Sequence, residues 1–129
     1  MKNTVNIQAS YEMKIKKSRF IGQLQYVEDL ESAREFIKEI KKLHKQANHN
    51  CSAYIIGDTY FCSDDREPSG SAGRPILNML RRYKMNNVVL VVTRYFGGVE
   101  LGIRGLIEAY GETAAGTIRE AEKLTRIDN

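Results

Sequence analysis

The run Val88-Val89-Leu90-Val91-Val92 constrains this chain more than any other feature, because consecutive β-prone apolar residues place hydrophobic side chains on both faces of a strand. A strand of that kind belongs in the middle of a sheet, with other elements covering each side. The polar pair Asn86-Asn87 limits it on one side and the glycine-rich stretch Arg94 to Gly105 on the other. The chain has 129 residues, 42% hydrophobic and 28% charged, the proportions of one ordered globular domain with a single core. We therefore expect one domain over residues 1–129, with no repeat, linker or low-complexity tract.

Around the central run the periodicity changes several times. Tyr11 to Val27 alternates loosely, with Phe20, Gly22, Leu24 and Tyr26 on one parity, and reads as two antiparallel strands broken by the basic turn Lys16-Lys17-Ser18. Asp29 is placed to cap a helix in which Leu30, Ala33, Phe36, Ile37, Ile40, Leu43, His44 and Ala47 recur every three or four residues. The outer face of that helix carries Lys38, Lys41, Lys42 and Lys45, and Asn48-His49-Asn50 can stop it. Cys51–Ile56, the turn Gly57-Asp58 and Thr59–Cys62 spell a hairpin. Pro75 suits the first turn of a second helix with Ile76, Leu77, Leu80 and Tyr83 facing inward. A third helix is expected from about Arg104 toward Leu124, burying Leu106, Ile107, Tyr110, Ala114, Ile118, Ala121 and Leu124. The order of elements predicts an α/β (α+β) two-layer sandwich, a mixed sheet carrying its helices mainly on one face.

Several function classes lose support here. Cys51 and Cys62 are too few for a disulfide scaffold and lack the paired spacing of a zinc site, so two reduced, buried thiols are expected. MKNTVNIQAS has no apolar run to serve as a signal peptide, and no segment has the apolar length of a membrane helix, which makes the cytoplasm the expected compartment. A net charge of +4 is mild; it suits phosphates or acidic partners without requiring them.

Three polar segments can carry chemistry. In SDDREPSGSAG, Asp64, Asp65 and Glu67 are close enough in sequence to hold a divalent ion, and Ser69, Gly70 and Ser71 can offer backbone donors to an anion at a helix N-terminus. The same acidic residues can instead cap that helix. In TRYFGGVELGIRGL, Gly97, Gly98, Gly102 and Gly105 allow close backbone approach, while Arg94 and Arg104 can meet a phosphate. That stretch is neither a Walker loop nor a dinucleotide fingerprint, and its glycines also suit a plain strand-to-helix turn. In HKQANHN, His44 falls on the apolar stripe and His49 is the better functional candidate. Two histidines complete neither a Ser–His–Asp arrangement nor a zinc set, so no catalytic residue, metal ligand or cofactor is assigned.

Together these segments resemble the Impact family, which includes the bacterial YigZ proteins and the eukaryotic Impact translation regulators. The resemblance runs over about residues 16–115, through KKSRFIG, HKQANHNCSAY, SDDREPSGSAG and VVTRYFGGVELGIRGLIEAY in matching order. It implies a fold similar to ribosomal protein S5 domain 2, cytoplasmic proteins tied to translation, and no established reaction. The family usually has DDGEPSGTAG and KLGTGGL; here Arg66 and Ser71 stand at the glycine and threonine positions of the first, and Glu100, Ile103 and Arg104 replace lysine, threonine and glycine in the second. The C-terminal ferredoxin-like domain usual in bacterial members and the N-terminal RWD domain of eukaryotic ones are not expected within this length.

The reading that follows is a non-enzymatic binding module in translation regulation. Its surface of His49, Asp64, Asp65, Glu67, Ser69, Gly70, Ser71, Arg94, Tyr95, Gly97, Gly98 and Arg104 would recognise RNA, the ribosome or a translation factor. Tyr95 or Phe96 would offer a stacking face. The competing readings are a metal-dependent phosphate-ester hydrolase using the acidic loop and an adaptor that binds protein alone.

Overall fold

The computed structural model describes residues 6–128; residues 1–5 of the N-terminal stretch read above lie outside the described residues. Two strands open the fold, β1 (Ala9–Ile15) and β2 (Ser18–Tyr26), followed by helix α1 (Leu30–Leu43). Strands β3 (His49–Ile56) and β4 (Thr59–Ser63) form a hairpin that leads to helix α2 (Gly73–Arg82). Strand β5 (Val88–Tyr95) and the long helix α3 (Gly102–Asp128) complete it. The strand order is β1-β2-β5-β3-β4.

Local chemistry sets most boundaries. Lys16 and Lys17 both take positive φ, as a two-residue hairpin turn requires, and bring Ile15 opposite Ser18. Asp29 caps α1, its carboxylate accepting from the Ser32 amide at 2.8 Å. That helix stops earlier than the apolar spacing implies, with His44 at its C-cap, so His44 and Ala47 lie beyond it.

Every strand pair is antiparallel, so the sheet is not mixed. The α1 crossover does leave β2 and β3 pointing the same way, as helical crossovers usually do. They never pair, because β5 lies between them and runs antiparallel to both. The central strand is covered on both faces as its pattern requires: Val88 through Val92 are all fully buried. Val88, Leu90 and Val92 pack with α2 and α3 residues such as Ile76, Leu80, Tyr110 and Ile118, whereas Val89 and Val91 pack with Ala33, Phe36 and Ile40 of α1. Two helices thus share one face, as expected, and α1 adds a third layer on the other. Burial of each such side chain stabilises the fold by about 1.5–3 kcal/mol, which makes this double-sided centre its main source of stability.

Helix α3 begins two residues before Arg104 and lies against β1 and β2. Close approach is possible because Gly22 has no side chain: a Cβ there would sit 2.0 Å from Thr117 Oγ1. Two residues expected on its buried side are not there. Ile107 is 41% exposed and Leu124 44%, since each is turned off the Leu106–Tyr110–Ala114–Ile118 stripe that faces the sheet.

Candidate functional site

All four family-like segments meet at one end of the sheet, where β3 begins and β5 ends. Strand alternation aims Arg94 at the α2/α3 face, on the same side as Val92, Leu90 and Phe20. Its guanidinium donates to both oxygens of Glu67, at 2.9 and 3.3 Å, and to Ser18 Oγ at 3.5 Å. The side chains of Arg94 and Glu67 are only 7% and 3% exposed. Tyr110 of α3 donates its hydroxyl to the same Glu67 carboxylate and sets its ring edge-on against Phe20. His49 completes the cluster, with Nε2 3.6 Å from Glu67 and Nδ1 donating to the Asp65 carbonyl at 2.9 Å.

This network ties the loops together. Ser18 Oγ also accepts from the Gly97 amide, and a Cβ on Gly97 would lie 1.9 Å from the Lys17 carbonyl, so only glycine lets the β1–β2 turn and the glycine-rich loop touch. Asn48 pairs through its amide with the Arg94 carbonyl at 3.0 Å and through its side chain with the Phe96 amide at 2.8 Å.

Three carboxylates adjacent in sequence serve three separate ends. Asp64 accepts from the amides of Gly70, Ala72 and Gly73 at 2.9, 3.2 and 2.8 Å, so it already occupies the N-terminus of α2 where Ser69, Gly70 and Ser71 were expected to receive an anion. Ser71 is buried with its hydroxyl donating to the Pro68 carbonyl, while Ser69 is exposed. Asp65 accepts from the Asn50 amide at 2.6 Å. Glu67 holds Arg94 and Tyr110. Among the described residues, no group of three or more His, Cys, Asp or Glu is arranged to hold a metal ion. The three carboxylates thus turn to separate partners instead of converging on one centre.

Above the network lies a cleft of about 370 Å³, lined by polar Asn48, His49, Glu67, Arg94 and Glu100 and by apolar Pro68, Phe96, Leu101, Ile103 and Leu106. The acidic and glycine-rich loops thus share one cleft. Its volume is within the range of ligand sites. Of the residues anticipated from sequence, His49, Glu67 and Arg94 line it; Gly97 and Gly98 shape the loop beside it. Arg104 is exposed on the first turn of α3, outside the lining. Tyr95 points to the opposite face, its hydroxyl 2.7 Å from His44 Nδ1 and its ring under Arg19. Burial and the nearby Arg19 charge hold the His44 pKa below the ordinary histidine value.

Ser18, Asn48, Glu100 and Tyr110 are not among the site candidates read from the sequence, and Phe96 enters there only as an alternative stacking face to Tyr95. All of them lie inside the family-like motifs, so the motif boundaries carried a usable signal. Tyr110 reads as ordinary core from its helical spacing, and nothing in the pattern announces its hydroxyl's partner. Cys51, which donates to the Asp64 carbonyl, lies beneath the cluster, and burial pushes its thiol pKa well up, as it does the Tyr110 hydroxyl.

Residues 16–118 match the Impact N-terminal domain. The chain is 48% identical over 115 residues to the IMPACT family member YvyE of Bacillus subtilis, an alignment covering 87% of this chain and 53% of that protein. It is 40% identical over 102 residues to the IMPACT family member YigZ of Escherichia coli, covering 75% of this chain and 50% of that one. Among solved structures, that of a hypothetical protein superposes with a TM-score of 0.84 at 36% identity, covering 87% of this chain and 57% of the other. The two-domain translational regulator Yih1 superposes with a TM-score of 0.59 at 25% identity, covering 89% and 46%. The chain spans about half the length of these curated relatives. Among the described residues no helix is long and apolar enough to cross a membrane.

Proposed function

The chain belongs to the Impact family, and from that premise we propose that it is a binding module in translation regulation, recognising RNA, the ribosome or a translation factor through the cleft between its acidic and glycine-rich loops. The observation that carries this reading is the Arg94–Glu67–Tyr110–His49 network, which with Ser18 joins all four motifs and presents a pre-formed cleft. A cleft braced in this way loses little side-chain entropy when a partner enters it. The likeness to Yih1, a translational regulator, supports the regulatory setting.

Binding suits this arrangement better than catalysis. The Glu67 carboxylate is nearly inaccessible and saturated with donors, and Arg94 is neutralised by it. Both side chains are engaged with each other, whereas Phe96, 45% exposed and packed against the Arg94 guanidinium 5.3 Å from its ring centroid, presents aromatic surface to an incoming group.

The test is affinity recovery from the source cell lysate, with and without nuclease, using the wild-type chain and Phe96→Ala. The reading expects ribosomes, RNA or a translation factor with the wild type and at least a severalfold loss with the variant. Recovery that is empty, or unrelated to translation, or the same for both chains, contradicts it. Recovery that depends on RNA should also fall steeply with added salt.

A further inference from the structure

We propose that the occupant of the cleft is a protein segment that inserts an apolar side chain beside a lysine or arginine. This rests on the reading above, that the cleft is the recognition surface.

The apolar requirement comes from the walls. Pro68, Phe96, Leu101, Ile103 and Leu106 form most of the non-polar lining, of which Ile103 is 58% exposed, and Val99, in the same stretch of chain, is 39% exposed. Together with Phe96 and Ile107 they place four of the nine large exposed hydrophobic residues among the described residues between positions 96 and 107. Apolar side chains concentrated around a concave site, rather than scattered singly, mark a surface that is covered in use. A hydrophobic anchor set into such a cleft is the usual centre of a protein interface.

The basic requirement comes from the charges. Glu67 is balanced by Arg94 at 2.9 Å, which leaves Glu100 as the one acidic or basic side chain in the lining with no ion-pair partner among the described residues. A cation on the partner would complete it, whereas a phosphate would be repelled by it. Arg94, the lining residue best suited to a phosphate, gives both terminal nitrogens to Glu67 and Ser18, and its Nε, without a partner among the described residues, is buried. Arg66 and Arg104 are exposed nearby in sequence, but neither lines the cleft. These features favour a protein segment over a nucleic-acid strand.

The probes are an acetylated twelve-residue Gly/Ser peptide containing Lys-Leu-Lys, its Leu→Ser and its Lys→Glu versions, and a ten-residue oligouridylate. Each is titrated into ¹⁵N-labelled protein and followed by amide shifts. The expected result is saturable shifts at His49, Phe96, Ile103 and Leu106 with Lys-Leu-Lys, absent with Leu→Ser and at least tenfold weaker with Lys→Glu. Glu100→Gln should remove the difference between the Lys and Glu peptides, and Ile103→Ser should weaken the Lys-Leu-Lys peptide at least tenfold while leaving the remaining spectrum in place. Shifts of the same cleft amides by oligouridylate and not by the peptide overturn this proposal and leave the binding-module reading standing. No cleft shifts with any probe overturn the peptide proposal, and the lysate recovery then decides the broader reading separately.

Discussion

The acidic loop and the glycine-rich loop face each other across one cleft but use their residues in opposite ways. The acidic loop is the more charged, yet its carboxylates turn inward: Asp64 to three amides at the start of α2, Asp65 to the Asn50 amide, Glu67 to Arg94 and Tyr110. The glycine-rich stretch, from the end of β5 to the first turn of α3, sends Arg94 inward to the same network and turns Phe96, Val99 and Ile103 outward. The residues that look reactive in the sequence hold the fold's end together, and those that look like misplaced core are the ones available to a partner. Polar groups at a buried loop junction must be satisfied internally, whereas an exposed apolar group has no internal role to fulfil.

The sharpest way to break this contrast is to cut the network on the acidic side. Glu67→Ala leaves the Arg94 charge buried without its counter-ion, which costs about 3–5 kcal/mol, a large share of the stability of a domain this size. Urea unfolding should show that loss; a change below about 1 kcal/mol would mean that Glu67 is not structural. Asp64→Ala removes one acceptor from three amides and should cost about 1–2 kcal/mol in the same assay, with the fold retained. On the glycine-rich side, Ile103→Ser in the first turn of α3 should change stability by less than about 0.5 kcal/mol, since its side chain is mostly in solvent.

Two smaller effects test the burial beneath and behind the cleft. Burial raises the Cys51 thiol pKa, so in the native protein a disulfide reagent should modify Cys62 at least about tenfold faster than Cys51. The His44 pKa is depressed, which means that the folded state favours the neutral ring. Its contribution to stability is therefore complete above the ordinary histidine value and is lost as pH falls through the depressed one. The His44 ring resonances should titrate with a midpoint below 6.5, and a midpoint above that would reverse the sign.

Much of this was legible in the residues. The apolar run 88–92 announced its two-sided cover, Asp29 its cap and Gly57-Asp58 its hairpin, because each depends on neighbours within a few positions. The insertion of β5 between β2 and β3 was not legible, since alternation assigns faces to a strand but not partners. The site was legible as a set of segments and less so as directions. Arg94 and Tyr95 were grouped, yet the two-residue period of a strand sends them to opposite faces of the sheet. Asp64, Asp65 and Glu67 were grouped by proximity, but positive φ at Asp65 and Arg66 turns the chain so that the carboxylates diverge. Where such a turn falls is set by tertiary contacts from Asn50 and Asn48, far away in sequence.

The most direct test of the account compares Asp64→Ala and Ile103→Ser in one lysate recovery, each chain first shown to be folded under the assay conditions. If recognition belongs to the outward-facing apolar side of the cleft, Asp64→Ala recovers the same translation component as the wild type and Ile103→Ser loses it. If Ile103→Ser recovers that component undiminished while Asp64→Ala does not, recognition belongs to the acidic loop and the account is wrong.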